Sequence, residues 1–131
     1  MRVLIVEDER KLAQAVASAL KGEHYDVVVA STGEDGFFRA NAEAFDLVVL
    51  DVLLPGRSGL EILQTLRQRH IDTPVLILSI EDDRPRAIAL GACDHIVKPA
   101  DREILAAAAV RFARFDRAHA GRDTTAPRKF A

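Results

Sequence analysis

Residues 47–56 of the chain read LVVLDVLLPG, an apolar run that ends in one carboxylate, Asp51, and then turns at Pro55 and Gly56. Four further apolar runs, rich in Val and Ile, recur at fairly regular intervals. They lie at residues 3–6, 27–30, 75–78 and 96–97. Because these runs do not alternate with polar residues, they are typical of strands buried on both faces of a parallel sheet.

The segments between these runs have the spacing of amphipathic helices. Leu12, Val16 and Leu20 recur every fourth residue, and Gly22 follows as an expected C-cap. Further helix signals are caps at Ser31 and Thr32, a capping box at Ser58-Gly59-Leu60-Glu61, and an apolar stripe at Ile104, Ala108 and Phe112. Strand followed by helix, repeated five times, predicts an α/β fold with a doubly wound sheet. Pro85 stands where the fourth helix should begin, so we expect that helix to be short or displaced.

Length and composition exclude several classes of protein. The chain has 131 residues and a net charge of −2, which fits one domain without the basic excess that a stand-alone nucleic-acid-binding protein needs. The apolar runs are far shorter than a signal peptide or a membrane span. The single cysteine, Cys93, cannot form an internal disulfide. These features predict a soluble cytoplasmic domain that binds neither nucleic acid nor membrane.

Polar side chains stand where the predicted strands end. The first strand is followed by Glu7 and Asp8, the third by Asp51, the fourth by Ser79 and the fifth by Lys98. In an open parallel sheet, ligands bind at the carboxyl ends of the strands. Three carboxylates brought together there repel one another unless a cation lies between them, and oxygen ligands of this kind suit Mg²⁺.

A lysine and a hydroxyl beside such a cluster form a pocket for a phosphoryl group. The chemistry that this pocket favours is attack of a carboxylate on phosphorus, which gives an acyl phosphate. Each residue also has a purely structural interpretation. Glu7 and Asp8 would favour the N-terminus of the first helix, and Asp51 would cap the turn at Pro55. The coincidence of all the polar residues at strand ends favours the functional interpretation.

These motifs resemble the receiver domain of two-component response regulators, over residues 1–115. The matching segments are residues 3–9 (VLIVEDE), 47–56 (LVVLDVLLPG), 59–60 (GL), 74–79 (PVLILS), 91–92 (GA) and 97–99 (VKP). The resemblance implies a flavodoxin-like, three-layer (βα)5 sandwich with strand order 2-1-3-4-5. It leaves residues 116–131 as a C-terminal tail or the start of a linker, too short for a DNA-binding module.

The resemblance also implies a role for each matched residue. Asp51 is the phosphoacceptor, while Asp8, Asp51 and the backbone carbonyl of Leu53 bind Mg²⁺ directly. Glu7 binds the ion mainly through water. Lys98 pairs with a phosphoryl oxygen, and the Lys98-Pro99 peptide bond is cis. Ser79 is the switch hydroxyl that rotates towards the phosphoryl group.

The implied activity is Mg²⁺-dependent phosphoryl transfer to Asp51 from a histidine kinase or a histidine phosphotransfer protein. Such a protein is a phosphoacceptor, not an enzyme, and it assists its own phosphorylation and dephosphorylation. Its output is a contact with a downstream protein or a fused effector domain, and homodimerisation stays open. Two alternatives remain at this stage: a pseudo-receiver that binds partners without phosphorylation, and the N-terminal receiver of a longer DNA-binding regulator.

Several positions depart from the pattern of the family. His95 stands where an aromatic switch residue is usual; it would swing inward and add pH sensitivity, or else lie half-exposed on an edge strand. Ser79 and Lys98 are separated by 98 − 79 = 19 positions, fewer than usual, and the shortening lies before Gly91. Ile80 and Ala100 replace the residues common there, and residues 106–109 lack the usual charged dimerisation pattern. The loop after Ser79 and the fourth helix form the usual output surface of the family, and these departures predict that this surface is altered.

Overall fold

Five parallel strands form the centre of the molecule. The computed structural model describes residues 1–98 together with residues 107, 108 and 111. The strands are β1 (Arg2–Val6), β2 (Asp26–Ala30), β3 (Leu47–Asp51), β4 (Val75–Ser79) and β5 (Asp94–Val97). They pair in the order β2-β1-β3-β4-β5, and every neighbouring pair is parallel. The predicted doubly wound fold and its strand order are confirmed.

Helices cover both faces of this sheet. They are α1 (Arg10–Gly22), α2 (Gly33–Ala42), α3 (Gly59–Gln68) and α4 (Arg84–Ala89). On one face, Val16 and Leu20 of α1 pack in the same apolar cluster as the buried helical residue Ala108. On the other face, a second cluster joins Ala40 of α2, leucines of α3 and Ala87 of α4. The result is the expected three-layer sandwich.

The sequence predicts the beginnings of the helices better than their ends. Thr32 caps α2 by accepting a hydrogen bond from Asp35 N–H at 3.1 Å, and Ser58 caps α3 by accepting one from Leu60 N–H at 3.2 Å. Gly22 is not the C-cap of α1, because the helix runs through it and the left-handed residue is His24 (φ 69°). Tyr25 N–H then bonds to Leu20 O and His24 N–H to Lys21 O, which is a Schellman arrangement with histidine in the usual place of glycine.

The fourth helix is short, as Pro85 predicted. It has six residues, and Pro85 lies in its first turn, where a missing N–H costs nothing. The prediction of strands buried on both faces is confirmed for β1, β3 and β4 and is wrong for the two edge strands. Most residues of β2 and β5 are half-buried or exposed, because an edge strand packs on fewer neighbours.

Some sequence predictions fall outside the described residues. They concern the Lys98-Pro99 peptide bond, Ala100, Ile104, Phe112, the domain boundary at residue 115 and the tail at 116–131. Among the helices of the described part, none is long and apolar enough to cross a membrane.

Candidate phosphoacceptor site

Three carboxylates meet at the carboxyl end of the sheet. Glu7 and Asp8 directly follow β1, and Asp51 is the last residue of β3, the strand that pairs with β1. One carboxylate oxygen from each of these three residues lies within 4.8 Å of the others. Glu7 and Asp51 are buried, whereas Asp8 is exposed at the mouth of the cluster. The sequence therefore located the cluster correctly.

Lys98 brings a positive charge into this cluster from the end of β5. Its Nζ lies 2.6 Å from Glu7 Oε1 and donates a hydrogen bond to Asp51 Oδ2 at 3.0 Å. Burial by itself would lower the pKa of Lys98, but the bonds to Glu7 and Asp51 outweigh it and raise the pKa above its ordinary value. The ammonium group is therefore charged at neutral pH and neutralises part of the cluster.

Glu7 is the member of the cluster whose negative charge is least stabilised. Burial, helped by the neighbouring Asp51 and only partly opposed by Lys98, raises the pKa of Glu7 from 4.5 to about 7. Its Oε2 accepts a hydrogen bond from Glu9 N–H at 3.2 Å. Its Oε1 is buried and, within the part of the chain that the structure describes, makes only the ion pair with Lys98.

This arrangement fits a magnesium ion. Carboxylate oxygens are hard ligands, and Mg²⁺ takes one or two of them while keeping several waters. Among the described residues, the buried Oε1 of Glu7 has no hydrogen-bond partner, and the pKa of that carboxyl is raised. Both features are expected of a site with unbalanced negative charge. Asp8 is exposed, so an ion bound to this cluster would be open to water.

The neighbouring backbone fixes the position of Asp51. Its Oδ1 accepts a hydrogen bond from Leu53 N–H at 3.3 Å, so the predicted metal-ligand residue lies directly beside it, with its side chain exposed. Gly59, the first residue of α3, packs so closely that a Cβ there would lie 2.1 Å from the carbonyl oxygen of Asp51. Only glycine allows α3 to begin this close to the end of β3.

Ser79 is buried at the end of β4, as a residue of the site should be, but its hydroxyl does not bond to the carboxylate cluster. It donates to Asp83 Oδ2 at 2.6 Å and accepts from Glu81 N–H at 3.1 Å. The structure thus brings Glu7, Asp8, Asp51 and Lys98 together and shows Ser79 held by the loop that leads into α4.

His95 is buried, with 4% of its surface exposed, so the half-exposed interpretation is wrong. Its Nε2 accepts a hydrogen bond from the backbone N–H of Asp83 at 3.3 Å. Asp83 is the residue that the sequence interpretation missed, although an acidic residue two positions before Pro85 is a recognisable helix N-cap. It bonds to both candidate switch residues, Ser79 through its carboxylate and His95 through its backbone.

Comparison with known proteins agrees with this geometry. Residues 3–110 match the family model described as the response regulator receiver domain. The transcriptional regulatory protein DltR of Streptococcus agalactiae is 38% identical over 110 residues, which cover 82% of this chain and 49% of DltR. The cell cycle response regulator CtrA of Brucella ovis is 38% identical over 124 residues, which cover 92% of this chain and 53% of CtrA.

A solved structure, the receiver domain of the Francisella response regulator 1452, is 28% identical and superposes with a TM-score of 0.81. The match covers 87% of this chain and 97% of that domain. The chain belongs to the response regulator receiver domain family and is a signalling domain of two-component systems. It spans about half the length of the two regulators named above. A pseudo-receiver that works without phosphorylation is not favoured.

Proposed function

We propose that Asp51 accepts a phosphoryl group from a phosphohistidine in a Mg²⁺-dependent reaction. The observation that supports this most directly is the double contact of Lys98 with Asp51 and Glu7 in a buried carboxylate cluster. An isolated surface lysine would not be held between two buried carboxylates, whereas a phosphoryl site needs a cation at this position.

The transfer is a displacement at phosphorus. A carboxylate oxygen of Asp51 attacks, the bond from phosphorus to the histidine nitrogen of the donor breaks, and the nitrogen keeps the electron pair and takes up a proton. When bound, Mg²⁺ supplies positive charge that offsets the repulsion between the carboxylates and the incoming phosphoryl oxygens.

The chain's own residues position the nucleophile and receive the new charge. Leu53 N–H fixes one oxygen of Asp51, and Gly59 lets the start of α3 close against its backbone. Lys98 is charged and already within reach, so it exchanges a carboxylate oxygen for a phosphoryl oxygen. Glu7, Asp8, Asp51 and the carbonyl of Leu53 are the proposed metal ligands, with Glu7 acting mainly through water. Ser79 is the proposed switch hydroxyl, and His95 the proposed second switch residue.

The proposed partners follow from this chemistry. The donor is a sensor histidine kinase or a histidine phosphotransfer protein in the cytoplasm, and the output is a contact with a downstream protein or a fused effector domain. Ile88 of α4 and Val97 of β5 are exposed apolar residues on the α4–β5 side of the sheet. The protein acts as a phosphoacceptor that assists its own phosphorylation and dephosphorylation, not as a turnover enzyme.

Intact-mass measurement tests the proposal. Wild-type protein incubated with Mg²⁺ and phosphoramidate should gain one phosphoryl group, and removal of Mg²⁺ with EDTA should prevent the gain. Asp51→Asn should show no adduct, while the matched control Asp82→Asn, which changes an exposed carboxylate, should behave as wild type. An unmodified wild-type protein under these conditions would contradict the proposal. Solution size with and without beryllofluoride shows whether dimerisation depends on the phosphorylated state.

A further inference from the structure

In this structure the hydroxyl proton of Ser79 is already donated in a hydrogen bond. A serine hydroxyl carries one proton, and here it points to Asp83 Oδ2 at 2.6 Å. The bond is charge-assisted and short, so it is stronger than a bond between neutral groups. If Ser79 is to donate to a phosphoryl oxygen on Asp51, this bond must break first.

Asp83 is itself held in place from several sides. Its backbone N–H is shared between Glu81 O at 2.9 Å and His95 Nε2 at 3.3 Å. The next residue, Arg84, forms an ion pair with Asp94 and donates to His95 O at 3.2 Å. The start of α4 is therefore tied to β5, and the Asp83 carboxylate extends from this anchored point to Ser79 at the end of β4.

From this we infer that Asp83 is a positioning residue that holds the Ser79 hydroxyl away from Asp51 in the unphosphorylated state. Asp83 and the phosphoryl oxygens compete for the same proton, so the strength of the Ser79–Asp83 bond sets part of the cost of activation. The inference rests on the proposed function, because it concerns how Ser79 reaches a phosphoryl group on Asp51.

Asp83 can lose its hydrogen bond to Ser79 without becoming a buried carboxylate that has no partner. A cavity of about 210 Å³ lies against the pair, lined among others by Ser58, Leu60 and Arg86. Asp83 is only half-buried, and this space gives water access to its oxygens. Release of Ser79 therefore replaces one hydrogen bond of Asp83 with bonds to water and leaves no buried charge unpaired.

The test is the affinity for beryllofluoride, a phosphoryl mimic, measured by titration calorimetry in excess Mg²⁺. Asp83→Ala removes the competing acceptor, and we expect binding that is about tenfold tighter than wild type, the lower end of what one hydrogen bond to a charged group contributes. The matched control is Glu81→Ala, which removes an exposed carboxylate from the same loop and should leave the affinity unchanged. Affinity for Mg²⁺ alone should be the same in all three proteins, because Asp83 is not a member of the carboxylate cluster.

A double variant separates positioning from a structural effect. In a Ser79→Ala background, Asp83→Ala should have no effect on beryllofluoride affinity, because no hydroxyl is left to compete for. Equal or weaker binding by Asp83→Ala, or an equal gain in the Ser79→Ala background, would overturn the inference. Asp83 makes no side-chain cap bond to α4, so the variant should fold.

Asp83→Asn provides the same test if the alanine variant is unstable. Its amide oxygen still accepts from Ser79 but without the charge, so we expect a smaller gain in the same direction, and no gain would overturn the inference. Failure of the proposed function gives a different result. In that case, the wild-type protein itself would bind no beryllofluoride and gain no phosphoryl group.

Discussion

The carboxylate of Glu7 and the ammonium of Lys98 lie 2.6 Å apart, although 98 − 7 = 91 positions separate them in the sequence. Their strands are not neighbours, since β3 and β4 lie between β1 and β5. The contact therefore spans the carboxyl edge of the sheet, where Lys98 also binds Asp51 at the end of β3. One lysine thus joins both acidic strand ends into a single site.

The raised pKa of Glu7 predicts how stability depends on pH without metal. A carboxyl whose pKa is raised from 4.5 to about 7 by folding keeps its proton while the unfolded chain releases it. Stability is therefore lost as pH rises from about 4.5 to about 7, by about 3 kcal/mol, and stays level above that. Urea unfolding in EDTA should show this loss in the wild type and not in Glu7→Gln.

The control for this prediction is Glu9→Gln, which neutralises an exposed carboxylate two positions away. It should keep the pH dependence of the wild type. A difference in unfolding free energy between wild type and Glu7→Gln that stays constant from pH 5 to pH 8 would contradict the raised pKa.

Removal of the positive charge should destabilise the metal-free protein. Lys98→Met leaves the buried carboxylates Glu7 and Asp51 without their counter-ion, at a cost of about 2 kcal/mol or more at neutral pH. Added Mg²⁺ should restore part of the loss, because it supplies a cation to the same carboxylates. Thermal unfolding with and without Mg²⁺ measures both effects.

Lys11→Met, on the exposed side of α1, is the matched control and should change stability by less than about 0.5 kcal/mol. If Lys98→Met were as stable as this control in EDTA, the role of Lys98 as the internal counter-ion would be wrong.

The close approach of α3 to Asp51 predicts a strong effect of one methyl group. Gly59→Ala places a Cβ against the carbonyl oxygen of Asp51, so either the strand end or the start of α3 must shift. We expect a loss of about 2 kcal/mol in stability, typical of overpacking, and slower uptake of phosphoryl from phosphoramidate.

Gly22→Ala is the appropriate comparison, since a Cβ at Gly22 meets nothing within 4 Å. In the last turn of α1 this change should be neutral or stabilising by up to about 1 kcal/mol. Equal stability of the two alanine variants would contradict the close contact between α3 and the backbone of Asp51.

The extent to which sequence predicted this site differs from residue to residue. The positions of Glu7, Asp51 and Lys98 follow from apolar runs that end in charged residues, because the pattern of a buried strand is strong and its carboxyl end is defined. The direction of the Ser79 hydroxyl could not be predicted, since it depends on a rotamer and on a loop shortened before Gly91. The burial of His95 was missed because edge strands are usually half-exposed, and its partner is a backbone N–H that no side-chain pattern reveals.

The helix ends show the same limit. Thr32 and Ser58 were predictable caps because their side chains act within three residues. The left-handed conformation of His24 and His70 was not predictable from residue type, because glycine usually takes this position. Gly22, two residues before His24, was the predicted C-cap of α1, and this prediction was wrong.

The most direct measurement is the location of the phosphoryl group. Wild-type protein treated with Mg²⁺ and phosphoramidate should be reduced with borohydride, which converts an acyl phosphate on aspartate to homoserine, and then digested and sequenced by mass spectrometry. We expect homoserine at position 51 and at no other carboxylate. Conversion at Asp8 or Asp83 instead, or a phosphoryl group carried only by a histidine, would contradict it.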